Sequence, residues 1–164
     1  MLLLCLLVLF GFTGIDAAVY HVTVDGSDST GEGSVEKPWK TLTFAAQRIH
    51  TDTIMLEEGI FTENYRSISL PEGASLIGAG PDKTFIRCSR PAWAEFDPNL
   101  FFLQMRSDSF TNEPSLLRGF TLDGIKQGSN SSGIVGGIVI DRRRHVTITN
   151  CEFKNIEWSA IWLM

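Results

Sequence analysis

The chain has no apolar run long enough to cross a bilayer. Its longest, residues 2–10, holds nine consecutive apolar positions, where a spanning helix needs about 20. It also has no excess of positive charge. With 14 Lys+Arg against 19 Asp+Glu the formal net charge is -5, so the electrostatic footprint of a nucleic-acid partner is missing. Cysteine is scarce, three in 164 residues, with none of the repeated spacing of a Cys-based zinc site. Nor does the chain have the low hydrophobicity and high charge of a disordered segment. Hydrophobic residues make up 43% and charged residues 20%, the composition of a chain that packs a core. A length of 164 residues suits about one domain. These exclusions do not separate an enzyme from a binding module or a scaffold, so function has to come from motifs and sites.

The amino-terminal segment is read as an address. After the apolar run come Gly11, Phe12, Thr13 and Gly14, and the first charge is Asp16, beside Ala17 and Ala18. A short apolar core followed by small residues is the pattern of a secretory signal peptide cut after Ala17 or Ala18. No Lys or Arg precedes the run, so the amino terminus alone supplies the usual positive charge, and a membrane anchor or a buried first strand is the alternative. Residues 1–17 are assigned to the signal, and the mature protein is expected outside the cell or at its surface, with no membrane span. Cys5 belongs to this segment. The surroundings of Cys88 and Cys151 read as strands, where two thiols packing as small hydrophobes are favoured over a disulfide. Asn130-Ser131-Ser132 is a glycosylation acceptor in a Gly/Ser-rich stretch, expected in an exposed loop.

Residues 18–52 read as a short strand, a loop and a helix. The stretch 25–34 is so rich in Gly, Ser, Asp and Thr that it forms a loop. Its acids invite a calcium site, but the spacing fails the EF-hand pattern, and a solvated turn is the better reading. Leu42, Ala45, Ala46 and Ile49 fall at i, i+3, i+4 and i+7, one face of a short helix over 41–50 with Thr41 as its cap. From residue 53 the texture becomes short apolar or alternating runs at 53–56, 67–70, 74–77, 84–87, 100–105, 116–122, 137–140, 146–153 and 160–163, separated by turn formers. Each has strand length, so this part is mostly β.

Two of these runs repeat. Residues 117–124 lie over 148–155 with apolar positions coinciding, an offset of 31 residues, and 137–140 lie over 160–163, an offset of 23. The shorter offset is one bare coil of a β-solenoid. The longer is a coil enlarged by the Gly/Ser-rich insertion that carries the sequon, since insertions in such folds map to loops on one side. A coil cannot bury its inward side chains alone, and stacking at the ~4.8 Å strand spacing supplies neighbours above and below.

The order Val24-Asp25-Gly26-Ser27-Asp28, Lys37-Pro38-Trp39-Lys40-Thr41-Leu42, Ala45-Ala46, Asp52-Thr53-Ile54, Gly59-Ile60-Phe61-Thr62-Glu63, Gly78-Ala79-Gly80 and Thr84-Phe85-Ile86 resembles the N-terminal region of the right-handed parallel β-helix proteins, the pectin lyase-like superfamily. In that group a capping helix and a "G-x-Y-x-E" turn precede the first coils, and Phe61 stands here in the usual Tyr place. Residues 146–153 look like the family's coil repeat, in which an Asn at a turn stacks with its equivalents. The resemblance implies an all-β right-handed parallel β-helix with a short N-terminal capping helix, its coils filling residues 53–164. With the cap and about five coils, the run 158–164 would leave an apolar strand edge open. The expectation is a chain that continues into further coils, or one that assembles through its last coil.

In function the resemblance implies a secreted protein acting on polysaccharide, commonly a lyase or hydrolase of acidic glycans such as pectin. The alternative is a noncatalytic glycan-binding or adhesion β-helix. No catalytic motif of the family carries over to these positions, and no cofactor is required, calcium being the one cation the chemistry brings in. The charged constellation of interest is Asp141-Arg142-Arg143-Arg144-His145. An Arg fork there would grip a substrate carboxylate, Asp123 or Asp141 would hold calcium, and His145 or an Arg would act as base. The plainer reading is a solvated turn, because adjacent arginines point in different directions. Trp162 aligns with Val139 between apolar neighbours, so it points outward if Ile161 and Leu163 point in, as a platform for a sugar ring or as packing under a loop. Trp158 is a second candidate of that kind.

Overall fold

The computed structural model describes residues 17–63, 66–88, 101–124 and 134–164. The first strand, β1 (Val19–Val22), leads through the Gly/Ser-rich loop to one helix, α1 (Leu42–Ala46). The remaining strands follow in order. They are β2 (Thr53–Leu56), β3 (Gly59–Glu63), β4 (Ile68–Ser69), β5 (Ser75–Gly78), β6 (Thr84–Cys88) and β7 (Phe101–Thr111). After them come β8 (Ser115–Arg118), β9 (Thr121–Asp123), β10 (Ile134–Arg143), β11 (Val146–Thr149), β12 (Glu152–Lys154) and β13 (Ile156–Leu163).

These strands form three sheets, here A in the order β1-β2-β5-β8-β11, B in the order β3-β6-β9-β12 and C in the order β4-β7-β10-β13. From β2 onward the chain visits A, B and C in the same cycle four times among the described residues, and each pairing is parallel. The expected all-β class with a short N-terminal helix holds. Both repeats found in the sequence are strand neighbours, Leu117 with Ile148 and Ile138 with Ile161.

The core consists of three ladders of inward side chains. Sheet A contributes Ile54, Leu76, Leu117 and Ile148 in register. Sheet B contributes Phe61, Ile86, Leu122 and Phe153, and sheet C contributes Ile68, Leu103, Ile138 and Ile161. Between neighbours these side chains lose contact with water, and full burial of one Leu, Ile or Phe stabilises by about 1.5–3 kcal/mol. In the last coil burial falls away. Ile148 and Phe153 are half-buried, and Ile161, Leu163 and Met164 are exposed.

Three local differences from the sequence reading have physical reasons. Gly59 to Glu63, expected as a turn, is strand β3, because its neighbour β6 supplies hydrogen-bond partners along its whole length. The runs 116–122 and 146–153 are each two strands, bent from sheet A to sheet B at Gly119 (φ 76) and Asn150 (φ 50). That left-handed corner consumes so few residues that the apolar pattern passes through it. The helix is shorter than 41–50 and ends at Ala46, while Ile49 still reaches the core.

The cap is held by side chains from the loop and the first coil. Thr41 is the N-cap, its hydroxyl accepting from the Phe44 amide. Asp28 accepts from the amides of Lys40 and Thr41 and from the Thr41 hydroxyl, so this loop acid has the plain structural role of tying the loop to the helix start. Trp39 stacks on Tyr20 at 4.9 Å and donates its indole N–H to the Gly31 carbonyl. Cys88 is buried, Cys151 is half-buried, and they form no disulfide.

Candidate functional site

Alternation along β3, β6, β9 and β12 sends every second side chain out of the coil. With Phe61, Ile86, Leu122 and Phe153 facing the core, the outer face of sheet B carries two in-register rows. One is Ile60, Phe85, Thr121 and Glu152; the other is Thr62, Arg87, Asp123 and Lys154. An open cleft of about 180 Å³ beside Ile60 and Thr62 adds Lys40 at the cap end of this face.

Charges alternate along the second row. Arg87 Nε lies 3.3 Å from Asp123 Oδ2, an ion pair too poorly aligned to be a hydrogen bond, since the buried Nε has no hydrogen-bond acceptor. Asp123 Oδ1 accepts from the Asn155 amide at 2.6 Å. Lys154 pairs with Glu152 at 2.9 Å. Phe85 sits among these groups, its ring centroid 5.7 Å from the Arg87 guanidinium carbon and 5.9 Å from Lys154 Nζ. The face therefore offers an aromatic ring beside two cations, with Asp123 and Thr121 buried among them.

The residues singled out in the sequence lie elsewhere, apart from Asp123. Arg142 donates Nε and Nη2 to the two oxygens of Asp141 and Nη1 to the Asp108 carbonyl, and these hydrogen bonds hold the Asp141 carboxyl below the usual range. Arg143 donates to the Ser107 hydroxyl and to the carbonyls of Pro71, Leu70 and Arg106, and burial lowers its pKa. Arg144 is exposed, with its guanidinium 5.0 Å from the Phe110 ring. His145 occupies a left-handed corner (φ 56) and is exposed. Thus the three arginines diverge, two of them bound to protein acceptors.

Asp123 belongs to sheet B and Asp141 to sheet C, and each is engaged by its own arginine. Among the described residues no group of three or more His, Cys, Asp or Glu side chains is placed to hold a metal ion. Trp162 is the register partner of Val139. It packs edge-on against Phe101 at 5.5 Å and Trp158 at 4.8 Å, none of which belongs to the core cluster, and Trp158 is 58% exposed. Asn130 and residues 1–16 of the expected signal segment 1–17 lie outside the described residues.

Sequence reasoning passed over Phe85, Arg87, Glu152 and Lys154. The signal was present in Thr84-Phe85-Ile86-Arg87-Cys88 and Glu152-Phe153-Lys154, where alternation places the ring and the charges outward once Ile86 and Phe153 are assigned to the core. No helix among the described residues is long and apolar enough to cross a membrane. No family model matches the chain, and comparison with curated proteins finds no match.

Proposed function

We propose that this chain is a secreted right-handed parallel β-helix protein of the pectin lyase-like kind, and that it engages an acidic polysaccharide along the outer face of sheet B. The observation that carries this reading is the Phe85 ring beside both Arg87 and Lys154 on an in-register face. Cations answer the carboxylates of an acidic sugar, and an aromatic ring answers the apolar face of a pyranose. A flat face built from strands stacked every ~4.8 Å suits a polymer that repeats along its length. The right-handed sense follows from the strong preference of parallel crossover connections for that hand.

A noncatalytic binder is the second reading, and it has its own support. Asp123 and Glu152 are each paired with a cation on the same face, an arrangement that recognises charge without calling on either acid for proton transfer. The test is affinity electrophoresis of the purified protein through polygalacturonate, alginate and a neutral glucan. Retardation by the acidic polymers alone, weakening as salt is raised, is the expected result. Equal mobility in all three gels overturns the proposal. With binding established, a rise in the ultraviolet absorbance of an unsaturated uronate identifies a lyase. New reducing ends without that absorbance identify a hydrolase, and neither product identifies a binder.

A further inference from the structure

We infer that Arg87 is the group that reads the acid. Its terminal guanidinium nitrogens take a ligand carboxylate through two parallel hydrogen bonds while Asp123 holds the guanidinium in place. This deepens the proposal above and rests on it.

An arginine carries five N–H donors in a rigid fork, and the described arginines differ in how that fork is used. In Arg142 all three nitrogens have acceptors, and in Arg143 four hydrogen bonds fill the fork. Arg48 donates to the Phe44 carbonyl and lies 3.2 Å from the Phe44 ring centroid. Arg87 contrasts with these three. Its one ion pair is made by Nε, and its terminal nitrogens have no acceptor among the described residues. The side chain is 32% exposed, open enough to meet a ligand and covered enough to make the contact count.

The neighbours orient the fork. Asp123 is fixed by Asn155 at 2.6 Å, and its other oxygen lies 3.3 Å from Arg87 Nε, an electrostatic tether on the guanidinium. Phe85, two residues earlier on the same face of β6, lies beside it. A sugar ring resting on Phe85 would carry its carboxylate to the Arg87 fork, with Lys154 beyond Asp123 in the same row. A planar bidentate fork matches a carboxylate, and Lys in its place offers a point charge without the second bond. The ligand chemistry assigned to the site is therefore a free uronate rather than its methyl ester.

The experiment measures calorimetric affinity for trigalacturonate and for its methyl ester in the wild type, Arg87→Lys, Asp123→Asn and, on the outer face of sheet A, Arg118→Gln. Circular dichroism and the melting temperature establish that each variant is folded. The wild type is expected to prefer the free acid. Arg87→Lys should weaken binding of the acid at least tenfold and leave the ester unchanged, so that the acid-to-ester ratio collapses. Asp123→Asn should lower that same ratio, which a purely structural role would not move, and Arg118→Gln should match the wild type. If Arg87→Lys binds the acid within twofold of the wild type, this inference falls and the polysaccharide proposal stands. If the wild type binds neither the acid nor the acidic polymers, both fall.

Discussion

The carboxylate of Glu63, at the end of β3, accepts the backbone N–H of Leu42 at 2.7 Å across 21 positions of sequence. Its other oxygen takes the Thr43 hydroxyl at 2.6 Å and the Thr43 amide at 3.3 Å. A helix start leaves its first amides without partners, and here a side chain of the first coil supplies them. The Gly-x-Phe-x-Glu pattern thereby acquires a physical meaning, with Phe61 filling the core and Glu63 fastening the cap. Hydrogen bonds to a charged group contribute about 1.5–3 kcal/mol each. Glu63→Ala should lower unfolding free energy by about 3 kcal/mol and Glu63→Gln by about half of that, read from urea titrations. Equal stability of all three proteins would contradict the role.

Arg143 ties successive coils together, bonding Leu70 and Pro71 of one turn and Arg106 and Ser107 of the next. Replacing it with Lys removes most of these bonds while keeping the charge, and leaves the part-buried carbonyl contacts at Leu70 and Pro71 without their donor. A loss of about 2–3 kcal/mol is expected. Arg144, exposed beside the exposed Phe110, should change stability by about 0.5 kcal/mol or less on conversion to Ala. Denaturant midpoints of the two variants provide the comparison.

Gly119 turns the chain from sheet A to sheet B with φ 76, and a Cβ there would lie 2.6 Å from the Gly78 carbonyl oxygen. Gly119→Ala therefore combines left-handed strain with a backbone clash and should cost about 2 kcal/mol or more. Asn150, at the equivalent corner of the next coil with φ 50, should accept Gly with little change in melting temperature.

Cys88 predicts an alkaline weakness. Burial, with Glu63 adding to it, pushes the thiol up to about 12 from 9.0. Below pH 9 the thiol is protonated in both states. Between pH 9 and 12 the unfolded chain loses the proton and the folded one keeps it, so this group's contribution to stability falls as pH rises. The slope is about 1.4 kcal/mol per pH unit, or about 2 kcal/mol between pH 9 and pH 10.5. Urea titrations of the wild type and Cys88→Ala should show the wild type losing that much more over this interval. Parallel pH profiles would refute the assignment.

How far the candidate site was legible depends on which residues are considered. The Asp141-Arg142-Arg143-Arg144 cluster drew attention by density of charge along the chain. In space Arg142 turns on Asp141, Arg143 enters the turns of earlier coils, and Arg144 lies exposed beside Phe110. Local density is no guide to a shared direction, because corners with φ 54 at Arg142 and φ 56 at His145 redirect each residue in turn. Phe85 and Lys154 were visible as alternating outward positions. Their proximity was not, since they belong to strands two rungs apart.

From its sequence alone this chain determined the repeating all-β pattern and the helical cap, while the corners at Gly119 and Asn150 stayed hidden inside apolar runs. Alternation of apolar side chains, turn formers between the runs and a short apolar helix face are all local signals, and a coil that cannot bury itself alone must repeat. Tertiary structure decided which outward residues share a face and which charged groups find partners. Strand neighbours here stand from 22 residues apart, Thr53 with Ser75, to 41 apart, Leu76 with Leu117. With spacings so unequal, the meeting of Phe85, Arg87, Asp123 and Lys154 depends on loop lengths that set the register, and no single run of sequence contains that information.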